Sequence, residues 1–518
     1  MAIIDFFDQG WSINPGGAAY IQGDRSHSFA EIGDLSCHIA NRLLALDLPV
    51  QSRGAVWSDN DVTAWTCVLG LWRANMSWIP VNPRNSAADN LQILSAFDCD
   101  ILFYQSQFGA IVDELRAALP KVSQWVCIDD TASSDPALLT WIDGQPNDKP
   151  DVEYDMDDVV ILSSTGGTTG APKGVMNTHR STQAFVAHFM IACPYGAEQT
   201  PVNLAAAPMT HTAGLLSLPC TTKGGTVVVV TKPDPALMFA AIAQHRVTEF
   251  FLPPTVIYKL LEIPGIEQVD LSSVKYFMYG AAPMSVDKLR KALEVFGPVM
   301  TGGYGQTECP VTISTLPPDQ HFSGGRIASD ERLSSVGRPN PLIRVEMMDD
   351  AGQILPRGET GEICVRGDLV MKGYYRQPDK TAETIVDDWL HTGDIGHVDA
   401  EGYLHITDRK KDMIISGGFN VYPSEVEQVI WSHPAVQDCA VIGVPDEKWG
   451  EAVKAVVELN PGHSASADEL IALCKAKLGS VMAPKTIDFI DSLPRSPVGK
   501  VLKKDLRQNY WDAQQRQI

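Results

Sequence analysis

The stretch from Ser163 to Gly174 reads Ser-Ser-Thr-Gly-Gly-Thr-Thr-Gly-Ala-Pro-Lys-Gly and has the make-up of a loop that holds a phosphate chain. Gly166, Gly167 and Gly170 let the backbone approach an anion, while Thr165, Thr168, Thr169 and Lys173 supply hydroxyl donors and positive charge. The loop follows Val159-Val160-Ile161-Leu162, a short apolar run that predicts a strand, so it should leave a sheet at its end. A Walker A loop needs Gly, four residues and then Gly-Lys-Ser/Thr. Here Gly170 is followed by Ala171-Pro172-Lys173-Gly174, with no hydroxyl after the lysine, which argues against an ordinary P-loop ATPase. Taken by itself, the run could also be a surface loop.

Further along, other residue types gather that could handle a nucleotide. His211 stands in Pro208-Met-Thr-His-Thr-Ala-Gly214 among small residues, a setting open to either a structural or a ligand-facing histidine. Strand-like Val274 to Tyr279 leads into Gly280-Ala281-Ala282-Pro283, a turn over which a flat ring could lie against the backbone. Thr301-Gly-Gly303-Tyr304-Gly305-Gln306-Thr307-Glu308 adds an aromatic ring, a hydroxyl and a carboxylate, and Glu308 suits magnesium, which prefers oxygen ligands. Asp394, between Gly393 and Ile395-Gly396, could accept two neighbouring hydroxyls, as on a ribose, or simply cap a turn. Asp408-Arg409-Lys410-Lys411-Asp412 and Ser416-Gly417-Gly418 form a charged and then glycine-rich passage, the best candidate domain boundary. Near the end, Lys500 follows a proline-bearing loop and Gly499, a position suited to a side chain delivered into a cleft.

The elements that must position these residues alternate. Leu35 to Leu46 and the apolar Val62 to Met76 predict helices, whereas Gly54 to Trp57, Ile101 to Tyr104 and Thr226 to Val230 predict strands, the organisation of an α/β protein. Ser424-Glu-Val-Glu427 reads as a helix-starting capping box. At 518 residues two or more domains are expected, and a net charge of −22 argues against a nucleic-acid partner. The ten cysteines are scattered without a CxxC pair and read as buried thiols. No stretch has the length of a membrane span and the N-terminus lacks a signal peptide's pattern, so the expected location is the cytoplasm.

Five of these stretches, from Thr165 to Gly174, Gly303 to Glu308, Thr392 to Asp394, Asp408 to Gly418 and Pro494 to Lys500, occur in the order that resembles the adenylate-forming superfamily, in its acyl-CoA synthetase branch. The resemblance implies a large N-terminal domain over residues 1–410, of sheets flanked by helices in ABABA-like layers with a small β-barrel-like subdomain. It also implies a small mobile α+β domain over 411–518, hinged at Lys411. In such enzymes a carboxylate attacks the α-phosphate of ATP, pyrophosphate leaves, and a thiol displaces AMP from the acyl-adenylate. The resemblance places the β- and γ-phosphates on Thr165 to Lys173, the α-phosphate on Thr307, and magnesium on Glu308. Adenine would lie on Gly280, Ala281, Ala282 and the Gly303–Gln306 segment including Tyr304, the ribose on Asp394 and Arg409, and Lys500 between acid and α-phosphate. His211 matches an acyl-gate position and counts with Lys500 and Glu308 among the catalytic groups. The acyl pocket should include His211, Thr212, Ala213, Tyr279, Gly280, Thr301 and Gly303, and Ser416, Gly417 and Gly418 would receive the coenzyme A arm. Where amino-acid-activating relatives place an aspartate, this chain has Thr212 and Ala213, which disfavours an amino-acid substrate. The chain's ending soon after Lys500 favours free coenzyme A as acceptor over a carrier protein. Transfer to a carrier and a non-catalytic nucleotide-binding role stay as alternatives, and the acid and the oligomeric state, including a homodimer, stay open.

Overall fold

The short apolar runs pair into two mainly parallel sheets. A computed structural model describes residues 1–129, 134–165, 172–232, 234–446, 448–495 and 501–511, with the Thr212 side chain also outside the described set. The first sheet has nine strands, among them Ala18–Gln22, Val202–Ala205, Glu249–Leu252, Tyr276–Gly280, Met300–Gln306 and Cys309–Leu316. The second has seven, including Arg53–Trp57, Ser77–Pro80, Ile101–Tyr104, Val159–Thr165 and Lys173–Thr178.

Strand alternation distributes their side chains between layers. On Ile101–Tyr104, Ile101 and Phe103 enter a core shared by both sheets, while Leu102 and Tyr104 enter an outer core with Ile93, Leu94 and Val112. On Tyr276–Gly280, Met278 faces the shared core, whereas Phe277 and Tyr279 face a second outer core with Met238, Ile257 and Leu289. The result is helix, sheet, helix, sheet, helix, the five layers expected.

The middle layer is held by large aromatic side chains. Val62–Arg73 is buried on nearly every face, and its Trp65 and Trp72 meet Trp78 edge-on, with ring centroids 5.3–5.8 Å apart. Such pairs add to area burial when edge meets face. Trp65 Nε1 donates to Tyr20 Oη on the first sheet and Trp72 Nε1 to Val160 O on the second, each at 2.9 Å, so this helix bridges both.

A third sheet is antiparallel and comprises Arg344–Met348, Gly361–Arg366, Ile385–Val386, Trp389–Val398 and Leu404–Arg409. The expected barrel-like subdomain is this sheet, and it is open: among the described residues Arg344–Met348 pairs with one neighbouring strand only. A separate small domain follows, built on Ile414–Ser416, Phe419–Val421, Val436–Asp446, Gly450–Leu459 and Thr486–Phe489, with its own core of Ile414, Val426, Ile430, Val441 and Val453. All ten cysteines are buried, as thiols. No helix among the described residues is long and apolar enough to cross a membrane.

One local expectation fails. The helix Pro423–Trp431 has Tyr422 at its N-cap with no side-chain cap, so Ser424 and Glu427 do not form a capping box. The free amide of Ser424 instead donates to Asp408 Oδ2 at 2.8 Å, and the Ser424 hydroxyl donates to Thr407 O. A carboxylate from the preceding sheet satisfies the helix end, which removes the need for a local cap.

Arg73 is 2% exposed and holds Asp8 through two contacts, at 2.6 and 3.0 Å, while its Nε donates to Ser36 Oγ at 3.1 Å. Three helices, Ile3–Ile13, Phe29–Leu44 and Val62–Arg73, therefore meet on one guanidinium. Asp8→Ala leaves that buried cation without its carboxylate and should cost about 3 kcal/mol or more. A shift of the urea midpoint within that of a surface Asp→Ala control would contradict this account.

Candidate active site

The Ser163-to-Gly174 stretch begins and ends on two paired strands. Strand Val159–Thr165 runs three residues beyond the apolar run and pairs antiparallel with Lys173–Thr178, so Thr165 lies directly across from Lys173. Gly166, Gly167, Thr168, Thr169 and Gly170 fall outside the described residues, as does Lys500. The two strands fix where Lys173 starts: its Nζ lies 4.9 Å from the centre of the Tyr374 ring, a cation–π contact. The Tyr374 hydroxyl donates to Glu308 Oε1 at 2.8 Å. Burial and the neighbouring Glu308 carboxylate push the Tyr374 phenol up, so it stays a donor at neutral pH. Lys173 and Glu308, 135 residues apart by their numbers, thus share one aromatic ring.

Glu308 sits in the turn between Met300–Gln306 and Cys309–Leu316. Its carbonyl accepts from Met371 N at 2.8 Å, and the neighbouring Thr307 carbonyl accepts from Asn177 Nδ2 at 3.1 Å. The turn is therefore tied to the hairpin and to the segment that carries Tyr374. The hairpin closes tightly because a Cβ on Gly305 would come within 2.5 Å of Val311 backbone. One carboxylate beside hydroxyl-bearing loops, with remaining ligands supplied by phosphate and water, is a donor set that magnesium uses.

Asp394 is 4% exposed and engaged on both oxygens. Oδ2 accepts from Tyr304 Oη and Gln306 Nε2, both at 2.7 Å, and Oδ1 lies 3.2 Å from Arg409 Nε. Arg409 faces Asp394 because the strands Trp389–Val398 and Leu404–Arg409 pair the two residues directly. Burial and the Asp394 charge push the Tyr304 phenol well up, which keeps it protonated. The expected ribose pair and the expected adenine-site tyrosine are thereby one hydrogen-bonded unit. Gly280 pairs with Gly303 on the neighbouring strand, and a Cβ there would lie 2.6 Å from Gly303 O. Ala281 follows at φ 67°, a left-handed conformation that costs a residue with a Cβ about 1–2 kcal/mol, and is exposed. Ala282 is half-buried beside it.

Of the acyl-pocket residues, Thr301 and Ala213 are buried in the middle layer or at its edge, and His211 lies half-buried in the wide helical turn Met209–Ala213. Burial holds the His211 imidazole below its usual pKa. The helix that follows starts at Gly214, where a Cβ would enter the Trp65 ring at 2.2 Å. Tyr279 is a correction: its ring points away from Met278 and Thr301, into the outer core, where its hydroxyl bonds with His321 Nε2 at 2.9 Å. Successive strand residues face opposite sides, and Met278 already takes the inner one.

Lys411 is exposed on the turn between the last strand of the third sheet and the first of the small domain, and Lys411 O accepts from Arg507 at 3.5 Å. Ser416 is buried, and Gly417 N donates to Trp449 O at 2.8 Å. A Cβ on Gly417 would lie 2.5 Å from the Trp449 ring, and Gly418, at φ 83°, is exposed. These three residues belong to the small domain rather than to the cluster around Glu308 and Asp394. Sequence reading missed Tyr374, Asn177 and Glu362. Glu362 accepts from Gly393 N at 3.0 Å and lies 3.4 Å from Lys410 Nζ, setting the turn that presents Asp394. Each acts through a partner distant in sequence, so no local pattern marks it.

A family model described as AMP-binding enzyme matches residues 7–375, and one described as AMP-binding enzyme C-terminal domain matches 425–500. The chain is 40% identical to a medium/long-chain-fatty-acid–CoA ligase of Mycobacterium tuberculosis, over 85% of this chain and 78% of that one. It is 33% identical to a feruloyl-CoA synthase of an Amycolatopsis species, over 96% and 97%. Among solved structures, it is similar to an amide bond synthetase of Marinactinospora thermotolerans, with a TM-score of 0.88 and 30% identity over 98% of this chain and all of that one. On these matches across nearly the whole chain, it belongs to the AMP-binding enzyme family, in the acyl-CoA synthetase branch of the adenylate-forming superfamily.

Proposed function

We infer that the protein joins a carboxylic acid to coenzyme A at the expense of ATP, releasing pyrophosphate and then AMP, with the work divided between its two domains. The observation that carries the assignment of roles is the joining of four sequence-distant motifs, Lys173 to Glu308 through Tyr374 and Tyr304 to Arg409 through Asp394. Lys173 and the threonines of the Ser163-to-Gly174 stretch grip the β- and γ-phosphates, Thr307 the α-phosphate, and Asp394 with Arg409 the ribose. The acid's oxygen attacks the α-phosphorus, the bond to the bridging oxygen breaks, and pyrophosphate departs toward Lys173. Lys500 stabilises the charge gathering on the α-phosphoryl oxygens, which is where fixed cations gain most in the transition state. Glu308 would hold magnesium, which neutralises phosphate charge when bound. The coenzyme A sulfur then attacks the acyl carbon and AMP leaves.

The second step uses the other face of the small domain. Rotation about Lys411 withdraws Lys500 and brings Ser416 to Gly418 to the cleft, where glycines leave room for a narrow pantetheine arm. Gln428 touches the large domain through Met284 O and Val286 N at 3.4 and 3.5 Å, the long limit of hydrogen bonding, which suits a contact that must break. The acid's body lies along Phe251, Met278 and Thr301, three residues in register across adjacent strands, so it is largely apolar. A cytoplasmic location fits an enzyme that draws on ATP and coenzyme A. An amine acceptor is the second reading, because one similar solved structure is an amide bond synthetase. Offering free coenzyme A, a phosphopantetheinylated carrier and an amine in parallel, with AMP release as readout, separates the three acceptors, and coenzyme A should be fastest.

Asp394→Asn keeps the side chain's shape but removes the charge that orients Tyr304, Gln306 and the ribose. KM for ATP in pyrophosphate exchange should rise about tenfold or more, and an unchanged KM would contradict the ribose role. Lys500→Ala should lower acyl-adenylate formation by about 10²-fold or more while leaving thioester formation from supplied acyl-adenylate largely intact. Equal loss in both half-reactions would count against a lysine that serves only the first.

A further inference from the structure

The inner face of the nine-stranded sheet descends from the nucleotide site in three rungs. Gly280 pairs with Gly303 at the top, Phe251 with Met278 and Met278 with Thr301 two residues below, and Glu249 with both Asn203 and Tyr276 two residues below that. Strand alternation turns all three rungs to one side, and that side is the shared inner layer, since Met278 is buried in its core and Phe251 and Tyr276 pack against it. The first rung has no side chains, the second is largely apolar and the third is polar. At about 3.3 Å per residue, the third lies about 13 Å below the first.

Two helices flank these rungs. Gly214–Thr222 packs on Val202–Ala205 and Thr226–Val229, and His179–Ala192 packs on Cys309–Leu316, so the strands between, Glu249–Leu252, Tyr276–Gly280 and Met300–Gln306, face the space separating the two helices. The acid proposed to lie along the second rung therefore runs toward Glu249. That residue is 1% exposed with both oxygens taken: Oε1 accepts from Asn203 Nδ2 at 3.0 Å and Oε2 from the Tyr195 hydroxyl at 2.7 Å. Tyr195 is braced in turn, its ring meeting that of Tyr276 edge-on at 5.5 Å, while the Tyr276 hydroxyl donates to Pro194 O at 2.7 Å. Against Glu249 lies a cavity of about 10 Å³, room for about one water, bounded by Phe189, Met190 and Cys193 near the end of one flanking helix and by Pro219 and Lys223 near the end of the other. Phe251, Met278 and Thr301 do not border it. The Glu249 carboxyl thus stands between the acid's rung and the space at the helix ends.

We propose that Glu249 ends the acyl pocket, so that the preferred substrates are aryl or medium-chain acids that stop above it and long-chain acids are excluded. The inference rests on the acid:coenzyme A ligase reading. An apolar tail that reached the third rung would have to push Glu249 off Asn203 and Tyr195, which strands a buried carboxyl. With a donor already on each oxygen, Glu249 asks no hydrogen bond of a ligand and acts by exclusion.

The test uses acids of one type that differ in length: octanoate against palmitate, and cinnamate against its 4-octyloxy derivative. In whichever pair wild type turns over, kcat/KM for AMP release should favour the shorter member by about tenfold or more. Glu249→Ala, which opens the third rung to the cavity behind it, should raise kcat/KM for the longer member by about tenfold or more, a gain that loss of structure cannot give. Glu249→Gln keeps the side chain's length and should keep the wild-type ratio. Glu249→Val, β-branched as strands favour, serves if the alanine variant does not fold. The wild-type ratio reads the proposal without any variant. A wild type that uses the longer members as well as the shorter would overturn it while leaving the ligase reading intact, and so would alanine and valine variants that keep the wild-type ratio. No AMP from any acid would remove the ligase reading and the inference together.

Discussion

The structure around the nucleotide site depends on one buried carboxylate. Asp394 belongs to the antiparallel sheet, yet two of its partners, Tyr304 and Gln306, come from the nine-stranded sheet, and the third, Arg409, ends the strand that leads to the small domain. A carboxylate at 4% exposure survives only if it is compensated, and here two hydrogen-bond donors and one ion pair do so. Three parts of the chain are thereby registered to one another before any ligand arrives. That registration suits the ribose proposed to bind there, whose hydroxyls would find acceptors that are already fixed. The Arg409 side chain is 38% exposed, which leaves it free to take other partners.

Tyr374 plays the matching part on the phosphate side. Its ring carries the Lys173 ammonium and its hydroxyl carries Glu308, so a cation and an anion are held apart by one rigid aromatic instead of collapsing onto each other. A direct Lys–Glu pair would have to be broken before phosphates and metal could enter. Spacing the two keeps each available at little cost in reorganisation.

The sequence shows the layers well and the connections poorly. Ile101 to Tyr104, Gly54 to Trp57 and the Val62 helix were legible because runs of apolar residues admit few other fates, and strand alternation then dictates which core each side chain enters. Motif residues such as Glu308 and Asp394 were legible by resemblance. Tyr374, Asn177 and Glu362 were not, since each acts through a partner far along the chain. The misreading of Ser424 shares that cause, since it looked like a helix cap until Asp408 supplied the acceptor from another sheet. Tyr279 differs, for the period of its own strand turns it to the outer core. Local pattern states what a residue can do; packing decides which partner it meets.

The same division explains why a loop rich in glycine and threonine resembles a Walker loop in composition and departs from it in spacing. A Walker lysine sits inside its loop because the loop alone must hold the reacting phosphates. Here Lys173 is anchored on a strand opposite Thr165 and fixed against Tyr374, which suits it to receive a leaving pyrophosphate at a constant position. The charge that changes during adenylation lies at the α-phosphate, and the lysine proposed to meet it belongs to the other domain. On the roles proposed, the constant contacts lie on sheets with deep shared cores and the changing one beyond Arg409, so that one binding site would serve two successive reactions without rebuilding its nucleotide contacts.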